Sequence, residues 1–212
     1  MNASQLKDLH STGPSIPFAE IIESSLHTWR AQCWDGEIIP AHGSILTATS
    51  GSRTIFGIVH ASSIGSLDQQ RTVYAYKKSE AQLKQDHPHI FEFLTSTFEC
   101  LTLGYLEGTS MRYQLAPTPP KIHAFVSAPD QQSLKLFFAQ DHYLHTLFSH
   151  ENQIFALDDL ILALIEQLAR SNTLTQERLR RFMQTFSLLT ANDYRRLKLF
   201  LQRAQPLLAA QE

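Results

Sequence analysis

The sequence predicts an α+β fold: a small closed β-barrel over residues 16–130, followed by a C-terminal bundle of three or four helices over 131–206. Two observations carry this expectation. Up to residue 130, short runs rich in aromatic and β-branched residues alternate with turn signals, the pattern of a sandwich or barrel. Beyond it the apolar residues recur at i, i+3, i+4 and i+7, the period of an amphipathic helix.

Residues 1–15 are polar and close on Gly13-Pro14, as expected of a mobile tail. Strand patterning starts at Ile16, where Phe18–Ser25 leads into Leu26–Trp34, and Asp35-Gly36 supplies the expected turn. Ser44–Thr49 and Thr54–His60 flank Ser50-Gly51-Ser52 as a hairpin. Residues 61–90 are polar and less regular, an expected excursion from the sheet. The sequence leaves open whether 61–95 belong to the barrel or to an insertion. Phe98–Leu106 and Met111–Leu115 form a second hairpin around Glu107-Gly108. Pro117, Pro119 and Pro120 lack N–H donors, so their segment sits at an edge or leaves the sheet. Gly43, Gly57 and Gly104 allow the bends that close a small barrel, and closure removes free edges.

Then the period changes. Ser133–Phe148 reads as a helix, and 157–170 as another, with Leu157, Leu160, Ile161, Leu164, Ile165 and Leu168 in one stripe. Asp158 and Asp159 fall in its first turn, where carboxylates complement the helix dipole. Thr173-Leu174-Thr175-Gln176 offers a capping box before Leu179, Phe182, Met183 and Phe186. Thr190–Asp193 starts a last helix through Tyr194, Leu197, Phe200 and Leu201, and Pro206 is its expected stop.

With 212 residues, 43% hydrophobic and 18% charged, the composition is that of an ordinary globular chain. A chain this long buries roughly 70% of its unfolded surface without staples. Two cysteines, Cys33 and Cys100, make neither a disulfide framework nor a zinc quartet. Single thiols fit a reducing cytosol, so a cytoplasmic location is expected. The start of the chain lacks a secretory pattern, and no apolar run reaches the ~18 residues of a membrane span. No membrane insertion is expected.

Charge is unevenly spread over a formal net of −2. Residues 1–169 carry ten Lys/Arg against seventeen Asp/Glu, a balance of −7; residues 170–205 carry eight against two, or +6. Such a basic segment suggests an anionic partner or a contact between the two parts.

Four features of the first half resemble the HAS barrel, the HerA–ATP synthase barrel that begins HerA-type DNA translocases and catalytic F-type ATPase subunits. They are Ala19–Ser25, His42–Thr47, Ile55–Val59, and Leu103–Leu106 leading to Ala116–Val126 with its proline-rich exit strand. The resemblance covers about residues 16–130. It implies a barrel that packs side by side in rings and docks partner proteins. The HerA-type nucleotide-binding core is not implied, because no G-x-x-x-x-G-K-[ST] occurs and the residues after the barrel read as helices.

Chemistry-bearing patterns are sparse. Among ten histidines, His142 and His145 stand at i, i+3 beside Asp141, with His150 nearby, but no further ligand motif accompanies them. His87-Pro88-His89 reads as an exposed loop. Cys33, between Gln32 and Trp34, reads as a buried thiol. No catalytic residue, metal or cofactor is therefore expected, and the chain reads as a non-enzyme. The strongest functional pattern is basic: Arg178, Arg181, Arg195, Arg196, Lys198 and Arg203 on two consecutive helices, able to meet phosphates or another anionic partner. The expected function is a non-catalytic assembly or adaptor module acting through its barrel by self-association or a protein partner. The alternative is a nucleic-acid-binding accessory protein using those helices.

Overall fold

The computed structural model describes residues 16–34, 38–66, 75–152, 154, 156–170 and 174–209. Among the described residues, seven strands run in the order β1 (Ala19–Ser24), β2 (Thr28–Cys33), β3 (Ile45–Ser50), β4 (Arg53–Ser66), β5 (Leu94–Glu107), β6 (Ser110–Arg112) and β7 (Phe125–Ser127). Two short helices, α1 (Glu80–Asp86) and α2 (His89–Glu92), lie between β4 and β5. Five more follow the barrel: α3 (Gln131–Phe137), α4 (Tyr143–Ser149), α5 (Leu157–Arg170), α6 (Gln176–Leu189) and α7 (Tyr194–Ala209).

The sheet order is β2-β1-β7-β3-β4-β5-β6, and β5 pairs back onto β2, closing six strands into an antiparallel barrel with β6 on its rim. The expected class, a closed barrel followed by helices, is what the chain forms. In β2 the alternation is complete: Trp29, Ala31 and Cys33 are buried between half-buried Thr28, Arg30 and Gln32. With Phe18, Ala19, Ile21, Leu46, Ala48, Val59, Phe98, Cys100 and Val126 they fill the barrel. By contrast β3, β4 and β5 contain continuous buried runs. Their other face, Ile45, Phe56, Ile58, Leu101 and Leu103, shares a core with Phe137, Tyr143, Leu147, Leu160, Ile161, Phe182, Phe186 and Phe200 of the helices. One side of the barrel wall is thus covered by the bundle. Gly43 makes the closest approach: at φ +79°, an added Cβ would lie 2.7 Å from Ala163 Cβ and 2.8 Å from the Leu164 backbone nitrogen on α5.

Both expected hairpins form, β3–β4 across Gly51 and β5–β6 across Gly108. The three prolines leave the sheet as expected, and the chain then returns as β7, inserted between β1 and β3. Other expectations are corrected. The excursion after β4 is shorter than the polar sequence suggests, because Ala61–Ser66 stay paired with Leu94–Glu99 of β5. The span 133–148 is two helices. The Tyr113 hydroxyl donates to the Phe137 carbonyl at 2.7 Å, satisfying the end of α3, and a turn closed by Leu144 N–H to the Asp141 carbonyl starts α4. Pro206 does not stop α7, which runs to Ala209. So near the helix end, its missing N–H costs only a bond to the exposed Gln202. Thr175 caps α6 by accepting from Arg178 N–H, and Asp193 accepts from Arg196 N–H at the start of α7. Asp35-Gly36 and Thr173 lie outside the described residues.

Candidate functional site

The barrel wall opposite the bundle carries exposed apolar side chains. On β1, Glu20 stands in register with Gln32 of β2 on one side and Phe125 of β7 on the other. Trp34, just past β2, is held by its N–H to the Phe18 carbonyl, and its ring meets Phe125 edge to face, centroids 5.3 Å apart. Yet Trp34 remains 39% and Phe125 56% exposed. A β-bulge between Ile21 and Glu23 leaves Ile22 without a β2 partner and exposed. Ile122, beside the His123 N–H to Ile21 carbonyl bond, is exposed as well. Carboxylates frame these residues: Glu20 bonds His123, Glu23 pairs with Arg30, and Glu99 lies 3.9 Å from Arg30. Exposed aromatic and aliphatic side chains thus stand among charged groups on this wall.

The six basic residues do not form one free stripe. Arg196 makes a forked contact with Asp158, its closest bond 2.7 Å, and a second pair with Glu151 at 2.8 Å. The Asp158 hydrogen bond, reinforced by both carboxylate charges, pushes its guanidinium further up, so it stays charged. Arg203 pairs with Asp159. Arg181 donates to the Ala139 carbonyl at 3.3 Å, and Arg178 lies 5.9 Å from the Phe138 ring centre. Arg195 and Lys198 are exposed on α7 beside exposed Tyr194 and Leu199. The charge asymmetry thus largely closes within the helical half. Residues 128–169 hold six carboxylates against Lys135, and Asp158 and Asp159 serve as counter-ions as well as first-turn residues. Their pairing with α7 was not readable from spacing, since partners 38 and 44 residues apart carry no local signal.

A cleft of about 340 Å³ lies between the α3–α4 turn and α6, lined among others by Asp141, His142, His145, Arg181 and Gln184. Burial pushes the Asp141 carboxyl up while Arg181 and Arg178 pull it down, and its Oδ1 has no hydrogen-bond partner. The His142 and His145 rings are 6.2 Å apart. Among the described residues, no three His, Cys, Asp or Glu side chains come together as a metal-binding set. His150 lies away from this cleft, bonding His27 of the β1–β2 turn at 3.1 Å. The expected loop at His87-Pro88-His89 is partly helical, with Pro88 at the N-cap of α2 and His89 its first residue; the His87 and His89 rings are 5.9 Å apart. Cys33 and Cys100 are both buried, and burial raises the Cys100 thiol well above its usual range.

No protein-family model matches the chain, and no curated protein shows significant similarity to it. Among the described residues no helix is long and apolar enough to cross a membrane.

Proposed function

We propose that this protein is a non-catalytic assembly or adaptor module of the cytoplasm whose barrel makes protein–protein contacts, with copies of itself or with an ATPase-type or other complex. The observation that carries the reading is the Trp34–Phe125 pair, two large aromatic side chains left exposed on the barrel wall away from the helices. Exposed aromatics at the centre of an apolar patch are the residues that dominate protein interfaces. The HAS-barrel reading is part of the proposal. It is supported by the places of the resembling segments, since Ala19–Ser24, Ile45–Thr47, Ile55–Val59, Leu103–Leu106 and Phe125–Val126 all lie on strands of the closed barrel.

The test replaces Trp34 and Phe125 together by Ser. Light-scattering mass on a size-exclusion column and affinity capture from the native cell extract are then compared with the parent. We expect the variant to keep its circular-dichroism spectrum and lose association or capture. Unchanged mass and unchanged capture would sink the assembly reading. Salt-sensitive binding to nucleic acid, abolished by replacing Arg178, Arg181, Arg195 and Arg196 with Ala, would establish the accessory-protein alternative instead.

A further inference from the structure

β4 and β5 are each 14 residues long, more than the barrel uses. β3 pairs with β4 only as far as Ile58, and Gly43 and Ser44 add backbone bonds at Val59. β2 pairs with β5 only from Thr97 to Leu101. Past Thr97, Ile64–Ser66 and Leu94–Ser96 continue together as a two-stranded ribbon, while Ala61–Ser63 still face the Thr97–Glu99 stretch of β5 that β2 holds on its other side. Along Ala61–Gly65 the outer edge of β4 has no strand partner among the described residues, and all five residues are exposed. Across the ribbon, Leu94–Thr97 are half-buried.

An open edge presents alternate backbone N–H and C=O groups to any extended chain. Natural edges are guarded by lysine, proline, inward charge or a covering element. Ala61-Ser62-Ser63-Ile64-Gly65 has no charge and no proline, and Ile64 is 65% exposed. We infer that this edge is a strand-addition site and that its occupant is the same edge of a second copy. Self-complementarity selects that occupant. Antiparallel pairing about a two-fold axis in any register within Ala61–Gly65 sets no charge opposite a like charge. It joins the two β4 edges into one continuous sheet, β5–β4 against β4–β5, and covers Ile64 on both copies. Five residues a side make a small interface, in the weak, transient class, so the dimer depends on concentration. This deepens the assembly reading by naming one partner, at a surface separate from Trp34 and Phe125.

The experiment measures light-scattering mass from micromolar to millimolar chain, with amide hydrogen exchange over Ala61–Gly65. Two variants accompany the parent: Ser62→Lys with Ile64→Lys, and Ser62→Glu with Ile64→Glu. Both positions are exposed, so both variants keep the parent's melting temperature. The expected result is a parent dimer whose edge amides gain protection as concentration rises. Each variant alone is monomeric, and an equal mixture of the two dimerises. A parent that is monomeric at millimolar concentration, or a lysine variant that keeps the parent's mass, overturns the proposal. A dimer lost only on replacing Trp34 and Phe125 overturns the edge while leaving the barrel-wall reading in place.

Discussion

Replacing Gly43 by Ala tests whether the barrel and the bundle are one packed body. The residue sits at φ +79°, so any L side chain there incurs the left-handed penalty of about 1–2 kcal/mol. The new methyl would also lie 2.7–2.9 Å from the Cβ and carbonyl carbon of Ala163 and the nitrogen of Leu164. Two of those three atoms are backbone of a 14-residue helix with eight buried side chains, so neither side yields easily. Overpacking of this kind costs about 1–3 kcal/mol. Together the two effects amount to about 2–5 kcal/mol. Gly51→Ala is the matched control, with φ +65° and nothing within 4 Å, so it carries the backbone cost alone. Urea unfolding of both variants, compared at constant slope, isolates the packing contribution as their difference, expected at about 1–3 kcal/mol. Gly43→Ala unfolding at the same midpoint as Gly51→Ala would refute the direct seating of this turn on α5.

Three further predictions concern the interior and its charges. Phe186, fully buried and stacked 4.4 Å from Phe200, should cost about 3–5 kcal/mol on truncation to Ala, measured by the same denaturation. Burial pushes His42 and His60 below the usual imidazole range, so the unfolded chain binds protons more readily at these sites. Their contribution is therefore complete above the unfolded value near 6.5 and falls as pH drops from there toward the lowered folded values. His60→Gln should flatten the melting temperature between neutral and mildly acidic pH, and an unchanged slope would remove His60 as a source. Both cysteines should resist a thiol reagent in the folded protein and react together on unfolding; rapid labelling of Cys33 in native buffer would contradict its buried place.

What could be read ahead of the structure followed local chemistry. The hairpins at Gly51 and Gly108 announced themselves because a tight turn between β-rich runs is a short-range signal. The apolar stripe of α5 did so because its spacing fits one helical face. The rest depended on contacts made across the chain. Strands buried on both faces, as in Ile55–Val59, lose the alternation that would assign their sides. Ala61–Gly65, exposed throughout, has none to show. The break between α3 and α4 depends on a hydroxyl from Tyr113. For the candidate surface, Trp34 and Phe125 were both visible as residues. Their meeting was not, because it requires β7 to dock beside β1 after the whole of the second hairpin.

That late docking has a bearing on how the chain is made. Val126 is the shared rung, facing Ala19 of β1 on one side and Ala48 of β3 on the other. A ribosome releases the N-terminus first, so β1 to β6 emerge as a sheet with two unsatisfied margins until Phe125–Ser127 clear the exit tunnel. Closure then depends on a three-residue stave and on loop closure over most of the barrel's sequence, the kind of non-local step that slows folding. A nascent chain stalled before residue 125 should thus be a target for chaperones, and one stalled after the bundle should not.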